Sequence, residues 1–374
     1  MRLFPKTAIL ASVALGALAA PLAAAEADAP GDYLPDDILV IGKRDGYATT
    51  DGSTGTKTQT PLIDVPQTVT VLTEEQLDDQ ATTQLVDALR YVPGVTLDTG
   101  EGHRDQVFIR GQLTTADFYL DGLRDDAEYY RPLYNVARVE VLKGANAMIF
   151  GRGGGGGVIN RVSKTANLTD PALGLEGGVD SFGAFSLSAD VNQPLADGVA
   201  ARINAAYEEF GNARDFYEGR FIGVSPTISA ALGERTRVSA FYTYDDDSRV
   251  TDRGLPSLDG GPLRGYDRTF FGDPVLNRSD SVGHIARLRL DHAFSDSLSV
   301  NVTGQFADHD KFYGNVVPAG ATATTATLNG YTSGTDRQNR IVQGNLVWTA
   351  AFGAVESTLL AGVEASRQDT VAER

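Results

Sequence analysis

The sequence predicts a small α+β domain followed by an antiparallel β-barrel that spans a membrane. Three observations predict it: an export signal at the N-terminus, a segment of mixed short strands and helices over residues 61–166, and period-two alternation of apolar and polar residues over residues 175–374. After the signal, no apolar stretch reaches the length of about 18 residues that a spanning helix requires. The spanning elements are therefore expected to be strands.

Residues 1–25 have the organisation of a secretory signal peptide. Arg2 and Lys6 supply positive charge, an apolar run extends from Ala8 to Ala20, and three alanines precede Glu26. We therefore expect an exported protein whose mature chain begins near Glu26.

Composition argues against several classes of function. A formal net charge of −17 does not suit a nucleic-acid partner, which needs clustered Lys and Arg. The chain has no cysteine for thiol chemistry, and its four histidines are scattered without an H-E-x-x-H pair. We therefore predict neither a catalytic site nor a metal site built by the protein, and no enzymatic activity.

Residues 26–60 are expected to form a flexible leader, because they are rich in Asp, Gly, Thr and Ala and have little apolar content to bury. The leader contains one apolar island, residues 36–42. Its β-branched residues favour an extended backbone.

Short elements are expected in residues 61–166. Gln67–Leu72 alternates like a strand, Thr73 is placed to cap a helix, and Thr83–Tyr91 has a helical apolar face that ends before Pro93. Val107–Ile109 and Phe118–Leu120 have the composition of strands.

The glycine tract at residues 151–157 contains G-x-G-x-x-G but does not predict a nucleotide site. The following residues, Val158–Val162, favour a strand rather than the helix that would receive a phosphate. We instead expect a tight backbone crossing in which side chains would clash.

Strands with one apolar and one polar face are expected from residue 175 onward. Val199–Glu208 and Leu298–Phe306 show the alternation clearly. Tight turns alternate with long loops at residues 245–280 and 309–339, as in outer-membrane barrels, although a soluble β-sandwich also alternates. About eight strands are predicted, too few to enclose the preceding domain. Either that domain lies outside the barrel or further strands follow, and we expect the second.

Five motifs in order resemble the plug motifs of TonB-dependent outer-membrane receptors. They are Phe108–Gly111, Phe118–Gly122, Arg138–Gly144, Ile149–Gly153 and Gly156–Asn160, and the resemblance covers residues 36–164. It implies a plug domain at residues 61–166, a barrel of about 22 strands of which residues 175–374 form the first part, insertion into outer-membrane lipid, and import driven by TonB with its inner-membrane energising complex.

The resemblance also implies roles for individual residues. The island Asp37, Ile38, Leu39, Val40 and Ile41 stands where such receptors keep the TonB box, a segment that adds as a strand to its partner. Arg110 and Lys143 stand where basic plug residues pair with acidic barrel residues, which we expect beyond Arg374. Lys143 replaces the more common arginine, so bidentate pairing is not expected there.

Ligand binding is expected at the apex of the plug. Tyr129 and Tyr130 match the plug apex that faces a ferric siderophore, and Arg104 and Arg124 are expected to add positive potential there. The siderophore brings its iron already chelated, so no cofactor is expected. The alternative is a tyrosine pair packed under a loop. Residues 251–256 also resemble a segment of siderophore receptors. Other cargo (a vitamin, haem or a carbohydrate) and a passive porin with a structural N-terminal domain remain as alternatives.

Overall fold

The computed structural model describes Tyr47, Thr49 and residues 56–58, 60–144, 149–151, 154–353 and 355–373. The expected signal peptide (residues 1–25) and apolar island (residues 36–42) lie outside the described residues. The described part comprises an N-terminal domain, which begins near residue 61, and a large sheet that contacts it.

The N-terminal domain consists of short strands and short helices. Its elements are β1 (Thr68–Thr73), α1 (Glu74–Asp79), α2 (Leu85–Ala88), β2 (Val95–Leu97), β3 (Val107–Ile109), β4 (Gln112–Thr114), β5 (Phe118–Leu120), β6 (Leu123–Arg124), β7 (Val136–Lys143) and β8 (Val158–Ser163), with 3-10 turns at Leu62–Asp64, Leu89–Tyr91 and Gly100–Gly102. One sheet has the order β1-β7-β8-β5-β6, and a second has the order β2-β3-β4. In the first sheet β5 pairs with β8 in parallel, and the other neighbours are antiparallel.

The first helix begins where the sequence predicts. The backbone N–H of Gln76 donates to the Thr73 hydroxyl at 3.3 Å, which caps α1. The helix expected over residues 83–91 is shorter: α2 spans four residues and continues as a 3-10 turn. In the described part of the chain no helix is long and apolar enough to cross a membrane.

The core of the N-terminal domain contains residues from elements that are far apart in its sequence. It buries residues of α2, the following turn and strands β3, β5, β7 and β8, all with no exposed surface: Leu85, Leu89, Val107, Ile109, Phe118, Val139, Val141 and Ile159. Burying each such side chain contributes roughly 1.5–3 kcal/mol. The domain therefore has an apolar core of its own.

Nine strands form a further, larger sheet, here called the wall. They are β9 (Ala172–Val179), β10 (Phe185–Ala196), β11 (Val199–Gly211), β12 (Glu218–Ala231), β13 (Thr236–Arg249), β16 (Arg278–Ser295), β17 (Leu298–Ala321), β18 (Ala326–Phe352) and β19 (Val355–Glu373); β14 (Ser257–Leu258) and β15 (Gly261–Pro262) form a small hairpin in the loop after β13. The wall strands are neighbours in chain order and antiparallel. The predicted antiparallel architecture is confirmed.

The predicted loop at residues 309–339 is wrong. Strands β17 and β18 continue through it as one hairpin that turns at residues 322–325. Polar residues on both faces conceal this extension, since apolar alternation marks a strand only where one face avoids water. The described residues contain nine wall strands, one more than the eight or so expected.

Connections between wall strands differ in length at the two ends. Short turns at residues 197–198, 232–235 and 296–297 lie at one end, here called the short-turn end. At the opposite end residues 250–277 separate β13 from β16. The expected contrast between short turns and a long loop is confirmed there.

The two faces of the wall differ as predicted. Leu288 and Val342 are 56% and 57% exposed, whereas their chain neighbours Arg287 and Gln343 are buried. The polar face is thus turned toward the N-terminal domain and the apolar face away from it.

The glycine tract forms the expected close crossing. A Cβ on Gly156 would lie 2.0 Å from the carbonyl oxygen of Ile109, and one on Gly157 would lie 2.6 Å from that of Leu142. Strand β8 follows directly. The absence of side chains lets the tract pass against β3 and β7.

We expect Gly156→Ala to destabilise the N-terminal domain by about 1–3 kcal/mol or more, because backbone atoms have to move to admit the methyl group. Urea unfolding or limited proteolysis of the domain in the purified protein measures this. Gly155→Ala is the matched control, since its Cβ would meet nothing within 4 Å. Equal stability of the two variants would contradict the crossing.

Candidate functional site

The long-loop end of the wall meets the N-terminal domain through a group of polar side chains. We call this group the apex cluster: Glu101, His103 and Arg104 of the N-terminal domain with Arg253, Lys311 and Tyr331 of the wall and its loop. It includes Arg253 of the segment 251–256 that the sequence singled out.

Glycines bring the N-terminal domain close to this loop. Gly100, Glu101 and Gly102 all have positive φ (57°, 56° and 75°). A Cβ on Gly102 would lie 3.3 Å from the carbonyl oxygen of Asp252. The turn therefore presents the Glu101 side chain to the loop at a distance that a larger residue at position 102 would prevent.

The loop is anchored where it leaves the wall. The Thr251 hydroxyl donates to the carbonyl oxygen of Gly314 at 2.8 Å, and the Asn277 amide donates to the carbonyl oxygen of Thr251 at 2.8 Å. Arg214 holds Asp252 at 2.9 Å. Arg253 is thus carried on a fixed backbone.

Glu101 is shared between the domain and the wall. Its carboxylate accepts from the Tyr331 hydroxyl at 2.8 Å and lies 3.7 Å from Arg253, which itself donates to the Tyr331 oxygen at 2.6 Å. The side chain of Arg253 is 24% exposed and that of Glu101 is 32% exposed. This triad joins the two parts of the chain at a surface that solutes reach.

His103 and Lys311 form a buried contact beneath the triad. Lys311 Nζ lies 2.7 Å from His103 Nδ1 and also donates to the carbonyl oxygen of Glu128. The His103 ring stacks on Tyr313 with centroids 3.8 Å apart. Burial first, then the charges of Lys311 and Arg104, lower the pKa of His103 to about 2, so the ring is neutral and accepts from lysine.

Arg104 and Arg124, both expected to attract cargo, are already ion-paired. Arg104 bonds Glu128 at 2.7 Å and Glu101 at 3.0 Å, and Arg124 bonds Asp126 at 3.0 Å. Both remain near the apex, but their charge is partly neutralised within the domain.

A buried ion cluster lies under the apex, consisting of Asp105, Asp125, Tyr129, Arg131 and Arg161. Arg131 and Arg161 donate to the same Asp125 oxygen at 3.0 and 2.7 Å, and the Tyr129 hydroxyl donates to it at 2.8 Å. The backbone N–H of Arg131 donates to Asp105 at 2.9 Å. Two carboxyls and two guanidiniums are thus enclosed together.

The two carboxyls of this cluster respond differently to burial. Burial acts to raise the pKa of Asp125, but Arg131 and Arg161 outweigh it and hold that pKa at about 2. At Asp105 burial outweighs Arg131, and the pKa rises to about 6. Asp125 is therefore the firm anion of the cluster.

The expectation that Tyr129 faces cargo is wrong in this structure. Its side chain is buried, and the Arg131 guanidinium lies over its ring at 4.6 Å. Tyr130 is half-buried, with Arg249 of the wall over its ring at 4.3 Å. Both tyrosines pack as the alternative interpretation held, since aromatic rings beside buried guanidiniums stabilise the interior.

Arg110 and Lys143 lie on another side of the domain. Arg110 is exposed, and Lys143 is buried with its ammonium donating to the carbonyl oxygen of Pro93 at 2.7 Å. Among the described residues neither pairs with a carboxylate. Their pairing with acidic residues of a barrel therefore stays a prediction.

Other ties between domain and wall were not predicted. Arg287 pairs with Asp121 and donates to the Ser163 hydroxyl at 2.9 Å. Arg337 pairs with Asp126 at 2.8 Å. The available signal was the charge on the inward face of the wall, because a buried guanidinium needs an acceptor.

We expect Asp125→Asn to destabilise the N-terminal domain by about 3–5 kcal/mol, because two buried guanidiniums lose their counter-ion. Asp105→Asn is the matched control in the same cluster. Its cost should be less than half as large, since Asp105 is the less firmly ionised carboxyl. Urea unfolding of both variants near pH 7 tests the order, and an equal or reversed cost would contradict it.

No described group of three or more His, Asp or Glu side chains has the arrangement of a metal site. The site offers hydrogen bonds, charges and aromatic rings to a solute.

Residues 61–158 match the TonB-dependent Receptor Plug Domain family. The chain is 31% identical over 276 residues to a protein of Acinetobacter baumannii described as "Probable TonB-dependent siderophore receptor PiuA", covering 70% of this chain and 37% of that relative. It is 29% identical over 374 residues to the catecholate siderophore receptor Fiu of Escherichia coli K12, covering 91% of this chain and 49% of Fiu. The chain thus spans less than half the length of either relative, and the names of both describe receptors.

Solved structures agree in fold. The siderophore receptor PiuA from Acinetobacter baumannii superimposes with a TM-score of 0.81 at 26% identity, covering 87% of this chain and 48% of that structure. The closed form of the ferric-catecholate import receptor Fiu from Escherichia coli K12 gives a TM-score of 0.80 at 26% identity, covering 87% and 50%. The chain therefore belongs to the TonB-dependent receptors of the bacterial outer membrane, with its N-terminal domain as the plug and its wall as part of the β-barrel.

Proposed function

We propose that this receptor imports a ferric siderophore of the catecholate class across the outer membrane, with energy delivered by TonB. The observation that carries the proposal is the triad of Glu101, Arg253 and Tyr331, in which plug and barrel share one solvent-reached set of contacts. A solute bound there touches both parts at once.

The chemistry of the apex suits a ferric catecholate. Such a chelate is anionic and presents flat aromatic arms, which guanidinium groups and aromatic rings bind through charge-assisted hydrogen bonds and stacking. Arg253 and Tyr331 supply these groups at the surface. The name of the relative Fiu, a catecholate siderophore receptor, supports the same class of cargo, and the name of PiuA supports a siderophore.

Binding at the triad provides a signal. A ligand shifts a conformational equilibrium only by its difference in affinity for the two states. An anion that takes over Arg253 and Tyr331 removes two partners of Glu101, and Glu101 belongs to the plug. Occupancy therefore weakens one tie between plug and barrel.

The remaining partners follow from the sequence. Asp37–Ile41 is proposed to pair with TonB as an added strand, and the exposed apolar face of the wall is proposed to contact lipid. The iron arrives inside its chelator. A vitamin, haem or carbohydrate as cargo and a passive porin are the alternatives; only the porin would work without the proton gradient.

We expect Arg253→Gln to weaken binding of a ferric catecholate by about 10–100-fold, the loss of one hydrogen bond to a charged group. Titration of purified receptor with iron(III)–dihydroxybenzoylserine measures this. Arg264→Gln, at an exposed arginine of the same loop, is the control and should bind normally. Equal affinities would remove Arg253 from the site.

We expect Val40→Pro to abolish energised uptake while surface binding and membrane insertion persist, because proline removes a backbone donor from the added strand. Thr54→Pro, later in the leader, is the control and should transport. Uptake of the radiolabelled chelate by energised cells measures both. Uptake that survives Val40→Pro would refute the role of the island.

A further inference from the structure

A cavity lies at the short-turn end, between the plug and strands β16–β18. Its volume is about 420 Å³, within the range of small-molecule sites. The plug contributes Asp121 and Gly122, and the wall contributes inward side chains from all three strands. No role described so far uses it.

Its wall side offers amide and hydroxyl groups among apolar side chains. The amides and hydroxyls come from Asn301, Thr303, Gln343 and Asn345, and Arg289 and Asp291 of this side form an ion pair at 2.8 Å. Such groups exchange hydrogen bonds with a hydroxyl-rich or carboxyl-rich solute without fixing it. This chemistry suits passage more than tight retention.

The cavity is closed toward the long-loop end by an apolar contact and an ion pair. Leu120 of the plug packs on Ile285 and Ala307 of the wall. The next plug residue, Asp121, pairs with the buried Arg287. The Leu120 side chain thus fills the gap between plug and wall, and the Asp121–Arg287 ion pair holds this part of the plug in place.

The leader enters the same cavity. Lys57, Thr58, Thr60 and Pro61 line it beside the plug. A force applied to the leader therefore acts first on these four residues, which line the cavity.

Toward the long-loop end the plug is packed more closely against the wall. A pocket of only about 10 Å³ lies there between Tyr129 and Tyr130 of the plug and residues of β12, β13, β16 and β17, about the minimum volume for one water. Tyr134 also bonds Asp245 of β13 at 2.9 Å there. A route along β12 and β13 would have to break a tight contact.

We propose that cargo leaves the receptor between the plug and strands β16–β18, with this cavity as its exit vestibule and the Leu120 contact as its closure. The inference rests on the transport function proposed above. The proposal predicts that a polar, oxygen-rich solute occupies the vestibule. It also predicts that the Leu120 contact and the leader move when the route opens.

Filling the vestibule tests the route. Asn301→Trp puts a large ring into the cavity, whereas Val302→Trp places the same ring on the opposite, exposed face of the same strand. In energised cells with radiolabelled iron(III)–dihydroxybenzoylserine, Asn301→Trp should bind cargo at the surface but import no more than cells lacking the receptor. Val302→Trp should import at the wild-type rate.

A reversible block separates obstruction from misfolding. The chain has no cysteine, so Asn301→Cys introduces a single thiol into it. A bulky methanethiosulfonate adduct at residue 301, formed after folding, should stop uptake, and a reductant should restore it. The same adduct on Val302→Cys should have no effect.

The outcomes distinguish the two proposals. Import by the adduct-bearing Asn301→Cys receptor at the unmodified rate, or an equal block at residue 302, overturns the route while transport stands. Failure of the unmodified receptor to import the chelate overturns the proposed function and, with it, the route.

Discussion

The wall turns a polar face toward the plug, and the structure depends on hydrogen-bond partners for the polar groups that are buried there. Buried guanidiniums and amides without partners cost several kcal/mol each. The plug supplies partners: Asp121 and Ser163 meet Arg287, and Asp126 meets Arg337 and Asn339. A sheet with one apolar, lipid-compatible face thus needs polar groups packed against its other face, and the plug supplies them. Its fit to the wall therefore follows from hydrogen bonding more than from apolar packing.

Charge is distributed unevenly across this interface. In the contacts of Asp121 and Asp126 the plug carries the acid and the wall carries the base, whereas Lys164 of the plug reverses the order by meeting Asp190 at 3.0 Å. These ion pairs are buried or partly buried, so salt screens them less than surface pairs. They hold the plug while leaving the vestibule beside β16–β18 open. Because ion pairs and a cavity lie side by side on one interface, a change at the cavity alone can open a route while the ion pairs elsewhere keep the plug in place.

The sequence predicts what periodicity and backbone sterics determine. Alternation locates β11 and the first part of β17, and the glycine tract predicts the crossing at Gly156, because a Cβ there has no room. It misplaces elements where water lies on both faces, as in the β17–β18 extension. It also misassigns Tyr129, because motif position does not show that Asp125 and Arg131 enclose the ring. Burial of that kind arises from long-range pairing that no local pattern contains.

Hydrogen bonds and ion pairs connect the proposed binding apex to the proposed exit closure through the plug. Arg104 of the apex precedes Asp105, which accepts from the Arg131 backbone; Arg131 and Arg161 share Asp125. The carbonyl oxygen of Arg161 accepts from the Asp121 N–H at 2.8 Å, and Asp121 fastens the closure through Arg287. Contiguity alone does not establish coupling, which requires an element with two arrangements that both sites bias. The Asp121–Arg287 pair is such an element if movement of the leader breaks it. Arg287 then loses its buried counter-ion, and the closed arrangement loses the ion pair that stabilises it. In the proposed mechanism, cargo bound at Arg253 and Tyr331 and a force on the leader would then act on the same ion pair from opposite ends of the plug.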